Sequence, residues 1–212
     1  MRKEFSMIFS KSIKLLAPLV LLCAAANADV IFNFDSDTLG TSTSFEDTVD
    51  GLSATFSSSA DPGGFVIYPT MFDTLTGNVL GDPGPAFADN LALGVTFSHD
   101  LSAITLDFAT ADFVTPSPFT LTAYENSTLV GFSTVTGQFP SGFSFPEGEI
   151  SFNGTFNNIV LSSTATDFAV DNLDVIPTTS TPEPRSISLL LAALFLPCAA
   201  LLARRKAGRE QR

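Results

Sequence analysis

Between Asp29 and Ser180 the chain contains no lysine and no arginine. All ten basic residues lie before residue 15 or after residue 184. Of the 22 acidic residues only Glu4, Glu183 and Glu210 fall outside the interval, which leaves nineteen within it. With His99 neutral, the central body carries a formal charge of minus nineteen. That imbalance restricts what can fold here. No Lys or Arg ion pair can form inside the body, and self-repulsion must be outweighed by an apolar core or screened by cations and salt. Nucleic acid is excluded as a partner, because its phosphates are neutralised by Lys and Arg and none is available.

The core has to come from the hydrophobic pattern, and the pattern has a period of two. The 212 residues include 21 Phe, together with many Val, Ile and Thr and scattered Gly and Pro, a composition that favours strands. In 91–98 large apolar residues occupy every second place, Ile104, Leu106 and Phe108 alternate with Thr105 and Asp107, and Phe119, Leu121 and Ala123 repeat the rhythm. Strands are predicted over 30–35, 52–58, 64–68, 91–98, 101–109, 118–124, 128–135, 148–153, 156–163 and 167–175. Asp61-Pro62-Gly63-Gly64, Gly81 to Pro85 and Pro140-Ser141-Gly142 read as loops, and Ser98-His99-Asp100 as a tight hairpin connection. No stretch of the body has a capped helical period, and no repeat of 20 to 50 residues is present. The expected fold is all-β: a two-sheet β-sandwich of jelly-roll type over 29–177, its core including Leu93, Val95, Phe97, Ile104, Leu106, Phe108, Phe119, Leu121, Ile159, Leu161, Phe168 and Val170. In the last strand the apolar phase slips by one residue at Asp171-Asn172, since Phe168 and Val170 share one phase and Leu173 and Val175 the other. A β-bulge there keeps all four inward and re-aims Asp171.

The ends of the chain have a different logic. Arg2, Lys3, Lys11 and Lys14 precede the apolar run Leu15 to Ala26, and Ala26-Asn27-Ala28 offers small residues where a signal peptidase reads. Residues 1–28 are therefore predicted to be a secretory signal, cut between Ala28 and Asp29. Residues 178–185 form a polar linker ending in Pro182-Glu183-Pro184. Residues 186–203 carry no charge and, at about 1.5 Å per residue, give roughly 27 Å of helix, close to the ~30 Å hydrocarbon core of a bilayer. Residues 204–212 begin with Arg204, Arg205 and Lys206, the kind of cluster that stays cytoplasmic. A C-terminal transmembrane helix follows, with the body exported. The two cysteines, Cys23 and Cys198, both fall in these end segments, so the body has no disulfide or thiol chemistry.

A Pro-Glu-Pro triplet, an immediate apolar helix and a short Arg-rich end, in that order and at the terminus, resemble the PEP-CTERM sorting signal. That family comprises exported proteins of Gram-negative bacteria that make extracellular polysaccharide. The resemblance covers about thirty residues and departs from the pattern in having Pro197 inside the helix. It implies export across the inner membrane, transient anchoring, and processing near Pro182-Glu183-Pro184 by an exosortase, a transpeptidase-like membrane enzyme. It further implies a final place at the cell surface or in the extracellular matrix. A plain single-span anchor is the alternative. More diffusely, Phe168 to Leu173 and Ile31 to Asp35 resemble the closing and opening strands of jelly-roll bodies that carry such tails.

The body offers little to build catalysis with. His99 is the only histidine and lies in a predicted turn, so neither a histidine metal cluster nor a catalytic triad is expected around it. Glu147 and Glu149 lie two apart beside Pro146 and Gly148, and read as a loop pair rather than as carboxylates flanking a sugar. Phe143, Phe145 and Tyr124 could make an aromatic platform for sugars, or simply pack in the core. In jelly rolls resembling carbohydrate-binding modules, a structural calcium often lies where the first and last strands run near each other. This implies a calcium site at Asp171 with Asp35 or Asp37, an ion that an all-acidic body would gain from. The expected function is that of a non-enzymatic, exported surface or matrix protein associated with extracellular polysaccharide. A carbohydrate-active enzyme on the same scaffold and a purely structural or adhesive protein are the alternatives.

Overall fold

The computed structural model describes residues 29–59, 64–82 and 91–178. The predicted signal peptide, cleavage-site Ala28, Pro182-Glu183-Pro184, the apolar tail and Arg204-Arg205-Lys206 lie outside the described residues. What is described is all-β: ten strands, β1 (Val30–Phe32), β2 (Phe45–Val49), β3 (Leu52–Ser58), β4 (Val66–Pro69), β5 (Asn78–Gly81), β6 (Leu93–Thr110), β7 (Pro118–Glu125), β8 (Thr128–Thr136), β9 (Glu147–Ser163) and β10 (Phe168–Pro177). Every pairing is antiparallel.

One hydrogen-bonded network makes both layers of a sandwich, because β6 and β9 are long enough to belong to each. Residues 93–97 of β6 pair with β3 on one side and with the end of β9 on the other, and β9 continues to β7 and β8. This first layer runs β2-β3-β6-β9-β7-β8. Residues 101–110 of β6 pair instead with β10 and with the start of β9, while β1 and β5 flank β10 and β4 flanks β5. This is the second layer. The crossing point falls at Ser98-His99-Asp100, where the register between β6 and β9 skips from Thr96↔Asn158 to Leu101↔Phe156. The expected hairpin at these residues is thus a bulge inside one bent strand. Three exposed polar residues satisfy an outward kink as readily as a turn, and composition cannot separate the two. For the same reason the expected strands 148–153 and 156–163 are a single strand.

Aromatic contacts bind the layers. Phe108 of the second layer stacks on Phe119 of the first at 4.3 Å, Phe168 meets Phe119 edge-on at 5.2 Å, and Phe32 meets Phe56 at 6.4 Å. All twelve residues expected in the core are buried, none above 5% exposed. Among the described residues the main core runs from Val30 to Val175, and 27–179 forms one compact unit, so the body carries a core of its own. The bulge in β10 is present: the register against β6 shifts between Asp171 and Asp174, Asn172 adopts φ 50°, and Phe168, Val170, Leu173 and Val175 are all buried. Two strands lie beyond those predicted. β2 is joined to β3 by Asp50-Gly51 with φ 50° and 84°, a two-residue turn of the kind that Asp-Gly favours, and β5 follows the loop that covers the second layer.

Candidate functional site: two unlike faces

The two layers turn opposite chemistry outward. In the first, the inward phase is Leu52, Ala54, Phe56, Leu93, Val95, Phe97, Ile159, Leu161, Phe119, Leu121 and Ala123, all buried. The alternate phase must then face out. Across one row of registered partners that phase reads Glu46, Thr55, Thr96, Asn158, Tyr124 and Leu129; another row reads Ser57, Gly94, Val160, Thr122 and Phe132. Beyond these lie Thr48 and Ser53 at one end and Ser162, Thr120 and Thr134 at the other. Glu46 is the only charged side chain in these positions. The hydroxyls and amides are held by cross-strand bonds: Thr48 Oγ1 with Ser53 Oγ at 2.7 Å, Asn158 Nδ2 donating to Thr96 Oγ1 at 2.6 Å, and Thr120 Oγ1 with Thr134 Oγ1 at 3.1 Å.

The outer face of the second layer is acidic. Register places Asp107 directly between Asp171 of β10 and Glu149 of β9, so three carboxylates cross adjacent strands in a row. Like charges directly opposite repel. Asn172 tempers this by donating its Nδ2 to Asp107 Oδ2 at 3.0 Å. Beside the row a shallow groove of about 250 Å³ is lined by Ile31, Thr105, Asp107, Glu149, Asn172 and Asp174.

Part of this face is roofed by the segment 70–77. Its Leu75 packs with Val79, Ala109 and Ala169 in a small second core. With no Lys or Arg in the body, carboxylates, two of them buried, hold the roof by accepting backbone N–H groups. Glu147, 4% exposed, accepts from Asp73 N at 2.9 Å and from both Thr74 N and Thr74 Oγ1 at 2.6 Å. Asp171, fully buried, accepts from Thr76 N at 3.2 Å and from Asn172 N at 2.8 Å. Asp35 accepts from Asn78 N at 2.9 Å. Gly77, φ 67°, passes so close to the Asp35 carboxylate that a β-carbon there would overlap it.

Burial raises the Asp171 carboxyl to about 7 against the pull of its two N–H partners, and Asp35 and Asp107 add to the rise. At the rim where β5 meets β10, Asp167 hydrogen-bonds Asp82. Desolvation first, then the Asp82 charge and the hydrogen bond with it, raise the Asp167 carboxyl to about 6. The nearby Tyr68 hydroxyl is pushed up to about 12, by burial first and then by Asp82 and Asp167.

Of the residues expected to bind calcium, Asp35 and Asp171 grip either side of the same turn, Thr76-Gly77-Asn78. Asp37 does not join them; it lies near Asp47, and burial followed by that charge raises it. Among the described residues no group of three or more His, Cys, Asp or Glu is placed to hold a metal ion. The donor type at Asp35 and Asp171 nevertheless suits a hard cation, since both are carboxylates and Asp171 is buried without a counter-charge. Glu147 and Glu149 do share a phase, but on strand β9 rather than in a loop, and the Glu147 oxygens are engaged in the roof. The expected aromatic platform is divided: Phe145 contacts Phe72 and Phe113 at the loop end, whereas Tyr124 sits on the neutral face beside Asn158. The neutral face was missed, although its signal lay in the polar phase of the same alternation that gave the core.

No family model and no curated protein matches the chain. Solved structures do. The K2 cleaved adhesin domain of Lys-gingipain aligns with a TM-score of 0.47 at 12% identity, over 70% of this chain and 99% of that one. A carbohydrate-binding module described for specific mannan recognition gives 0.41 at 11%, over 72% and 99%. A family 35 carbohydrate-binding module from Clostridium thermocellum gives 0.37 at 16%, over 71% and 99%. These scores are low, and the sandwich rests on its own strand pairing.

Proposed function

We propose that the body is a non-catalytic module of an exported surface or matrix protein, and that it associates with extracellular polysaccharide through the neutral face of its first layer. One observation carries this reading: a body with nineteen carboxylates and no Lys or Arg keeps the outer face of six adjacent strands free of charge but for Glu46, and lines it with hydroxyls and amides. Such groups exchange hydrogen bonds with sugar hydroxyls as donors and acceptors alike. Tyr124 and Phe132 supply flat apolar surface for a pyranose ring. Leaving out charge favours a neutral glycan, because an acidic one would meet repulsion from the rest of the body. Binding of residues 29–178 to immobilised neutral polysaccharides, compared with uronic-acid polymers, tests the reading. Retention by neutral chains supports it, and retention by neither polymer rejects it.

The export route belongs to the same proposal. A signal peptidase cuts between Ala28 and Asp29, and an exosortase-like enzyme processes the tail at Pro182-Glu183-Pro184 while 186–203 holds it in the inner membrane. Mass spectrometry of the mature amino terminus checks the first step. Replacing the triplet by alanine checks the second, and unchanged processing would reduce it to ordinary linker. A calcium ion, in this reading, would be held by Asp35 and Asp171 and would supply charge neutralisation beneath the roof. An unfolding midpoint that is the same with calcium and with chelator removes the ion.

A further inference from the structure

The neutral layer ends in an open edge. Among the described residues β8 pairs only with β7. Exposed sheet edges are normally shielded by shortness, charge or proline, and the other edges here are. β1 and β4 have three and four residues, β2 carries Glu46 and Asp47, and the open part of β9 carries Glu149. β8 has nine residues without a charge or a proline, and it exposes Phe132 at 69% and Leu129 at 58%.

In an acidic body this is the edge where a second copy meets least repulsion. The strand also reads nearly alike in both directions about Phe132. Thr128 mirrors Thr136, Leu129 mirrors Val135, Val130 mirrors Thr134 and Gly131 mirrors Ser133. A two-fold interface asks for this property. In an antiparallel pair centred on residue 132, Phe132 faces itself and Gly131 meets Ser133 of the other copy, small against small, while a bulge at Val130, where the register against β7 shifts, turns Leu129 outward and ends the regular match there.

We propose that the protein forms a two-fold dimer by antiparallel pairing of β8 with β8 of a second copy, centred on Phe132. The pairing extends the first layer from six strands to twelve and joins two neutral faces into one continuous surface. It is independent of what that surface binds.

Sedimentation of residues 29–178 from micromolar to millimolar concentration tests it, with circular dichroism to confirm folding. The wild type should show a concentration-dependent dimer. Phe132→Glu and Phe132→Lys each place like charges on the axis, and each alone should be monomeric, with a dissociation constant raised at least about tenfold. Because residue 132 meets its own copy, an equimolar mixture of the two variants should recover the dimer. A wild type that stays monomeric at millimolar concentration, a Phe132→Glu protein that still dimerises, or a mixture that fails to recover the dimer would each overturn the proposal.

Discussion

The two outer faces of the sandwich share β6 and β9, yet one is neutral and ordered by hydroxyl and amide bonds, and the other is a row of carboxylates under a roof. The difference shows how a chain without basic residues in its body distributes its charge. Carboxylates are tolerated where backbone N–H groups can satisfy them, at Glu147, Asp171 and Asp35, and apart from Glu46 are absent from the outward rows of the first layer. The acidic face therefore contributes stability through specific bonds, at the cost of repulsion. The neutral face has its own hydroxyl and amide bonds and is nearly free of that repulsion.

The largest expected effect separates the faces by stability. Glu147→Ala leaves three donors of the roof without their acceptor, and hydrogen bonds to a charged group are each worth about 1.5–3 kcal/mol. The variant should lose roughly 3–5 kcal/mol in urea unfolding, while Thr122→Ala on the neutral face should change stability by less than about 0.5 kcal/mol. Equal costs for the two would dissolve the distinction.

The second effect is on pH. Asp171 and Asp167 have folded-state values raised to about 7 and about 6, above the ~3.9 of an unfolded Asp. Between those limits the folded state binds protons that the unfolded state does not. Stability should therefore rise as pH falls from about 7 towards about 4, and be lost again as pH returns through the folded values. Asp171→Asn should flatten part of that rise, as read from thermal midpoints over the same range. A stability that falls steadily through this window in the wild type would contradict the assignment.

How much of this was legible in the sequence depends on the range of the interaction. The core phase and the bulge at Asp171-Asn172 are local, and alternation alone reveals them. Asp50-Gly51 also announced the turn that creates β2, but Asp47 interrupts the apolar phase of Phe45 and Val49 and hides the strand. Ser98-His99-Asp100 was ambiguous in principle, since polar residues suit a kink and a hairpin equally. The row Asp171-Asp107-Glu149 joins three strands distant in the chain. It appears only once register is known, as does the separation of Asp37 from Asp35.

A smaller effect probes that row. Asp107→Asn keeps an acceptor for Asn172 while removing the central charge, and should stabilise the protein by about 0.2–1 kcal/mol at low salt. The gain should shrink as salt is raised. A gain indifferent to salt would mean that packing, rather than repulsion, governs the acidic face.

The central claim is that the neutral face is the one that meets polysaccharide. Affinity electrophoresis of residues 29–178 through gels containing a neutral polysaccharide tests it most directly, with Thr122→Asp in the first layer compared with Asp107→Asn in the second. Retardation should be abolished by Thr122→Asp and unchanged by Asp107→Asn. Retardation that survives Thr122→Asp, or that disappears with Asp107→Asn, would contradict it.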